Sequence, residues 1–290
     1  MAKNRSMKFG RVLILAGIVA GTVAAQVPTV NVGGVLNGAS YSTTNPPGSL
    51  IVIFGTNMAS KAGVLLSASS TPLSMELKNS SDTISVKING SAAPMFYAST
   101  TQTSVQLPWK ITDGTANIVV TRNGTASASQ QLQVGQFSPG IFTTTQNGQG
   151  MALAFNAVPI TVNGKAALAI AQPAGSVPGL PTVPAKVGDH MFVYCTGLGA
   201  VTPSIADGAA PCALSGCKST DTQRKTNTLP KVLIGGVSAH VEFSGLAPQF
   251  VGVYQLNFQL PSGVPTGNAV PIHIQIGGAT SRDGVTIAVQ

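Results

Sequence analysis

Few residues in this 290-residue chain are of types that do chemistry, and their spacing limits what they could do. Cys212 and Cys217 flank Ala-Leu-Ser-Gly in a loop, the arrangement of a short disulfide in an exported protein. A metal site would need a His or a third Cys at ligand spacing, and none is close. Cys195 sits within an apolar strand and reads as a buried, inert thiol; a reactive thiol is the alternative. His190, His240 and His273 fall on separate strands, with His273 alternating outward. His240 and Glu242 are two residues apart, hence on one strand face, and read as a surface contact rather than an acid–base dyad. The remaining acids, Glu76, Asp82, Asp113, Asp189, Asp207, Asp221 and Asp283, are isolated, with no close-set carboxylate pair for glycoside hydrolysis. No Gly-x-Ser-x-Gly elbow, His-Glu-x-x-His, phosphate-binding loop or dinucleotide glycine pattern occurs. No catalytic residue, cofactor or metal follows from these spacings.

Aromatic side chains offer the other chemistry, stacking. Trp109, the single Trp, follows Gln106-Leu-Pro at a strand end, and Phe96 and Tyr97 are adjacent, so on a regular strand they face opposite sides. Trp109 and Tyr97 are therefore candidate ligand contacts, with packing at the rim of a core as the alternative. Asn79-Ser-Ser, Asn89-Gly-Ser and Asn123-Gly-Thr match the glycosylation triplet but read as turn chemistry.

These residues are carried by a chain that repeats itself. Gly48-Ser-Leu-Ile-Val-Ile-Phe-Gly-Thr-Asn returns as Gly188-Asp-His-Met-Phe-Val-Tyr-Cys-Thr-Gly at an offset of 140. Val86-Lys-Ile-Asn-Gly returns as Val232-Leu-Ile-Gly-Gly at 146, Gln106-Leu-Pro as Gln259-Leu-Pro at 153, and Ile118-Val-Val-Thr-Arg-Asn-Gly as Ile272-His-Ile-Gln-Ile-Gly-Gly at 154. Preserved order with growing offset indicates one duplicated unit with insertions in the second copy. Two copies of this size suit two small domains better than a solenoid.

The strands are legible by alternation. Tyr254, Leu256, Phe258 and Leu260 face one way and the intervening amides the other; Ile272, Ile274 and Ile276 do the same, as do Ile84, Val86 and Ile88. Leu50 to Phe54 and Met191 to Tyr194 are continuous apolar runs, as in a strand covered on both sides. Asn89-Gly90, Asn123-Gly124, Gly235-Gly236 and Gly277-Gly278 mark tight hairpins. Helical periodicity is absent, apart from one possible turn over Ala166 to Ala171. The fold class is all-β: two tandem antiparallel β-sandwiches from an internal duplication.

The N-terminus reads as an export signal over residues 1–25. Lys3, Arg5, Lys8 and Arg11 precede the apolar stretch Val12 to Ala25, and Val23-Ala24-Ala25 offers a cleavage site before Gln26. The stretch is shorter than the roughly 20 residues of a spanning helix, so no membrane insertion is expected after cleavage. Four of the 16 Lys and Arg lie there, leaving 12 against 8 Asp and Glu, scattered along the chain. Nucleic-acid binding needs clustered cations, and there is no such cluster. The remaining divisions are residues 26–136 as sandwich 1, 137–187 as an irregular inter-repeat segment, and 188–290 as sandwich 2. The loop from Ala206 to Leu229 reads as the most mobile part.

The copies resemble IPT/TIG domains, immunoglobulin-like sandwiches, through Pro47-Gly48, Ile51-Val-Ile-Phe-Gly-Thr-Asn57, Asn89-Gly90 and Val105-Gln-Leu-Pro108. The tandem as a whole is similar to the Solibacter-type exported C-terminal module. The matching residues include Asn37-Gly-Ala-Ser-Tyr41, Leu107-Pro-Trp109, Pro139-Gly-Ile-Phe142, Thr196-Gly-Leu-Gly199, Asp207-Gly208 and Gly252-Val-Tyr-Gln-Leu-Asn257. The resemblance implies an immunoglobulin-like fold and no catalytic residues. The expected function is a non-enzymatic interaction or structural module, secreted, periplasmic or at the cell surface. Its partner would be a surface polysaccharide or another exported protein. The alternatives are a carbohydrate-binding module using Trp109 or Tyr97, and a hydrolase whose site lies between the sandwiches.

Overall fold

In a computed structural model, residues 26–60, 66–67, 70–212, 216–218 and 221–290 are described; the export signal lies outside them. All regular structure among the described residues is strand. In the first sandwich one sheet runs, in spatial order, Thr29–Asn37, Leu50–Thr56, Gln102–Gln106, Met95–Ala98, Leu66–Ser67. The facing sheet runs Thr44–Asn45, Gln130–Val134, Gly114–Arg122, Thr83–Ile88, Glu76–Lys78. The alternating residues Ile51, Ile53, Ile84, Val86, Ile88, Val105, Ile118 and Val120 are fully buried between the sheets. Each such side chain contributes about 1.5–3 kcal/mol relative to exposure.

The second sandwich repeats this plan at the level of register. Leu50 pairs with Gln106 and His190 with Gln259; Ile88 pairs with Ile118 and Ile234 with Ile272. Those partners are related by the same offsets that the sequence shows. The turn bonds repeat too: Gly48 N donates to Leu107 O and Gly188 N to Leu260 O, while Ser127 Oγ and Ser281 Oγ accept from Val120 N and Ile274 N. The four hairpin pairs have positive φ at both residues, for example Asn89 at 47° and Gly90 at 81°, as a two-residue hairpin turn requires. Matching registers over this many strands make the two sandwiches copies of one unit.

One difference between the copies lies in the strand after the first hairpin. Ser91–Ala92 and Met95–Ala98 are separate pieces, each in its own sheet, whereas Val237–Leu246 runs unbroken. It pairs through Ala239 with Lys231–Ile234 and from His240 onward with Tyr254–Gln259, with a bulge between Val241 and Phe243. A bulge adds local bend and twist to a strand. Within residues 137–187, Gly140–Ile141 and Ala154–Asn156 pair with His190–Thr196, and Gly150–Met151 runs parallel to Val285–Val289. Residues 165–167 are extended, not helical: Asn163 and Gly164, both at positive φ, turn Ile160–Val162 back onto them.

Asp82 is not the isolated acid that its sequence neighbours suggest. Its buried carboxylate binds Arg122 Nε at 3.0 Å and accepts from Ser60 N at 3.0 Å and Ser60 Oγ at 2.6 Å, while Arg122 Nη1 donates to Asn57 O. Burial alone pushes this carboxyl up, but the Ser60 bonds and Arg122 outweigh it and hold it below the ordinary carboxylate value. A folded value below the unfolded one stabilises at neutral pH and loses that effect as pH falls through the unfolded value, about 4, toward the folded one. Asp82→Ala should cost about 3 kcal/mol by leaving Arg122 buried and unpaired. Urea unfolding at pH 7 and pH 3 is expected to show a large gap between wild type and variant at pH 7 that narrows at pH 3.

Candidate functional site

Residues of the ordered motif set converge where the sandwiches meet. Thr196 ends its strand with its hydroxyl donating to Gly252 O at 2.7 Å and accepting from Leu50 N, in the first sandwich, at 3.1 Å. The fully buried Asn37 accepts from Ala39 N and Ser40 N through Oδ1 and donates through Nδ2 to Ser138 O at 3.0 Å. Ser138 N in turn donates to Gly197 O. Gln106, also fully buried, donates to Gly48 O and accepts from Gly208 N at 2.7 Å. Asp207 accepts from Trp109 N at 2.8 Å, and Leu73 N donates to Gly208 O. Each bond satisfies a backbone group that the seam removes from water, so the seam is a packed, hydrogen-bonded joint.

Close backbone approach explains the glycines of the seam. Gly48 has φ of +79°, and a Cβ there would collide with the ring of Trp109; one at Gly252 would come within 2.9 Å of Gly48 O. Asp207 and Gly208, in the loop read as most mobile, are tied into the joint; residues 213–215 and 219–220 of that loop lie outside the described ones.

Trp109 and Tyr97 are brought to the seam but to separate grooves. Trp109 is half-buried against Gly48 and the second core, its Nε1 buried with no partner among the described residues. It lines a groove of about 610 Å³ with Pro47, Asp113, Phe137 and Asn227. Tyr97 is half-buried in a groove of about 480 Å³ with Tyr41, Phe96, Phe142 and Leu180. Burial, and then Tyr41 beside it, push the Tyr97 hydroxyl up to about 12. Phe96 and Tyr97 do not face opposite sides. The register shifts between Met95 and Tyr97, so both open on one groove.

Cys212 and Cys217 are disulfide-bonded, with Asp221 beside them. Cys195 is buried and free, its thiol pushed up by burial, which favours the inert reading. Glu242 pairs with His190 Nδ1 at 2.7 Å, and His190 lies in the same cross-strand row as His240, through Gln259. His273 is not simply solvated: its Nε2 lies 3.0 Å from Asp283 Oδ1. Asn79, Asn89 and Asn123 all accept backbone N–H bonds through their side chains, as turn residues do.

Because Trp109 is the only Trp, its fluorescence reports the seam directly. Gly48→Ala combines positive φ with a clash and should cost about 1–3 kcal/mol. The expected result is a red-shifted emission and a lower denaturation midpoint. An unchanged spectrum and midpoint would show that the ring does not rest on Gly48.

The IPT/TIG domain profile matches residues 38–134. No curated protein matches the chain. Among solved structures, domains 5–6 of the S-layer protein SbsC are 9% identical over 90% of this chain and 98% of that one, with a TM-score of 0.25. InvD of Yersinia pseudotuberculosis is 11% identical over 90% and 59%, with a TM-score of 0.20. Murine CEACAM1b is 11% identical over 88% and 98%, with a TM-score of 0.18. The fold assignment therefore rests on the sheets themselves and on the profile match. Residues 38–134 match an IPT/TIG domain, and the chain is an all-β protein of two tandem immunoglobulin-like sandwiches.

Proposed function

We propose that this chain is an exported, non-catalytic interaction or structural module of the bacterial cell envelope or exterior, holding a surface polysaccharide or another exported protein. The observation that carries this reading is how the polar side chains of the seam are used. A hydrolase would need acids, a Ser or a His free at that joint. Asp207, Gln106, Asn37 and Thr196 are instead spent on backbone groups. The grooves along the joint present largely aromatic and amide surface, with the carboxylate of Asp113 near Trp109 and no His or second acid among the described residues lining them, the kind of surface that recognises rather than reacts. The Cys212–Cys217 disulfide supports an oxidising compartment, in keeping with the export signal read over residues 1–25.

A carbohydrate-binding role for Trp109 or Tyr97 is the second reading, favoured by the grooves that each of them lines. Both readings are tested by incubating purified residues 26–290 with insoluble polysaccharides and with cell-envelope fractions and quantifying the bound protein. Retention by envelope material is expected. Retention by one polysaccharide that is lost on Trp109→Ala or Tyr97→Ala would establish the second reading, and no retention by any fraction would contradict both.

A further inference from the structure

The outer face of the second sandwich carries a pattern that neither half of the sequence announces. Directly paired residues of neighbouring strands point to the same face. Phe155 pairs with Phe192, Phe192 with Asn257, and Asn257 with Phe243, so these four form one row across four strands. The adjacent row holds Tyr194 opposite Gln255. The opposite face of the same strands, Met191, Val193, Leu256 and Phe258, is the core.

The aromatic side chains are contiguous. Ring centroids lie 5.1 Å apart for Phe155 and Phe192, 5.4 Å for Phe192 and Tyr194, and 5.7 Å for Tyr194 and Phe250. Phe250 is 48% exposed at the end of the series, while Phe192 within it is 8% exposed, so the ring a ligand meets is that of Phe250. Beside the rings, Gln255 Nε2 donates to Asn257 Oδ1 at 2.8 Å. That bond leaves Gln255 an acceptor oxygen and Asn257 a donor nitrogen. Both amides, with Phe243, floor a groove of about 400 Å³ walled by the Cys212–Cys217 disulfide, Thr222 and Pro248.

The equivalent face of the first copy is differently equipped. Val52 and Phe54 stand where Phe192 and Tyr194 do, and Gln102 and Ser104 where Gln255 and Asn257 do. The chain's own Phe142, Leu153, Val177 and Leu180 lie across that groove. The second copy has Phe192 in place of Val52 and a disulfide-bonded wall in place of the covering segment.

We infer that this face is a binding site for a neutral polysaccharide chain, a proposal that rests on reading the protein as a binding module. A sugar ring presents C–H surface to aromatic rings and hydroxyls that both donate and accept, which matches a ring series beside paired amides. Among the described residues, the charges lining the groove, Lys218 and Asp221, are of opposite sign. A phosphate-bearing or acidic polymer would call for clustered cations. An added peptide strand would call for a free sheet edge, and this is a sheet face.

The test measures retention of residues 26–290 on cellulose, chitin and starch, using wild type and the variants Phe250→Ala, Asn257→Ala, Trp109→Ala and Tyr97→Ala, with thermal melts as the folding control. Both Phe250 and Asn257 are at least partly exposed, so folding is expected to survive their replacement. The expected result is retention on one of the three, weakened about tenfold by Phe250→Ala and by Asn257→Ala at unchanged melting temperature. Trp109→Ala and Tyr97→Ala should leave it unchanged. Retention insensitive to Phe250→Ala and Asn257→Ala would overturn this site while leaving the binding-module reading intact. Loss by these variants of binding to protein-bearing envelope alone would replace the polysaccharide with a protein partner. No retention on any polysaccharide or envelope fraction would overturn both.

Discussion

Everything that distinguishes this chain from two independent sandwiches depends on one constraint, that a backbone group taken out of water must find a partner. The start of the strand Leu50–Thr56 is satisfied from across the seam by the hydroxyl of Thr196, which also caps Gly252. Asn37, Gln106 and Asp207 solve the same problem for their neighbours. None of these bonds is strong alone, about 1 kcal/mol net for each. An unmade one would cost more than a made one contributes, so the relative position of the sandwiches is set by avoiding orphans. Gly48 and Gly252 allow that position because no side chain stands between the backbones.

Duplication and divergence are both visible in this arrangement. The strand registers of the two copies coincide, so the fold of the unit is held by features both retain: alternating apolar residues, two-residue hairpins, and the paired serines Ser127 and Ser281. Divergence falls on the outer faces and on the strand from Val237 to Leu246. The first copy's outer face lies against its own chain; the second copy's bears rings, amides and a disulfide-held loop.

The architecture was legible because alternation and Asn-Gly or Gly-Gly turns are local signals, and the duplication stated each of them twice. Burial of Ile84, Val86 and Ile88 and of Tyr254, Leu256 and Phe258 follows directly from period two. What local pattern could not supply was anything set by a bulge. The irregularity near Phe96 opened Phe96 and Tyr97 on one groove, and the bulge at Glu242 put Phe243 opposite Asn257 on the outer face. Asn163-Gly164 was an available hairpin signal, masked by the Ala-rich run that follows it. Asp82 and Arg122 are forty residues apart and meet only through strand pairing. The seam was half legible: its residues formed the ordered motif set, but nothing in their spacing said that they touch.

The measurement that tests the central claim most directly is the rotational behaviour of the two sandwiches, read from ¹⁵N relaxation and residual dipolar couplings on the chain from Gln26. A hydrogen-bonded seam requires a single diffusion tensor and a single alignment tensor for residues 26–136 and 188–290. Two separate tensors would mean that the sandwiches move independently, and that the bonds of Thr196, Asn37, Gln106 and Asp207 do not hold them.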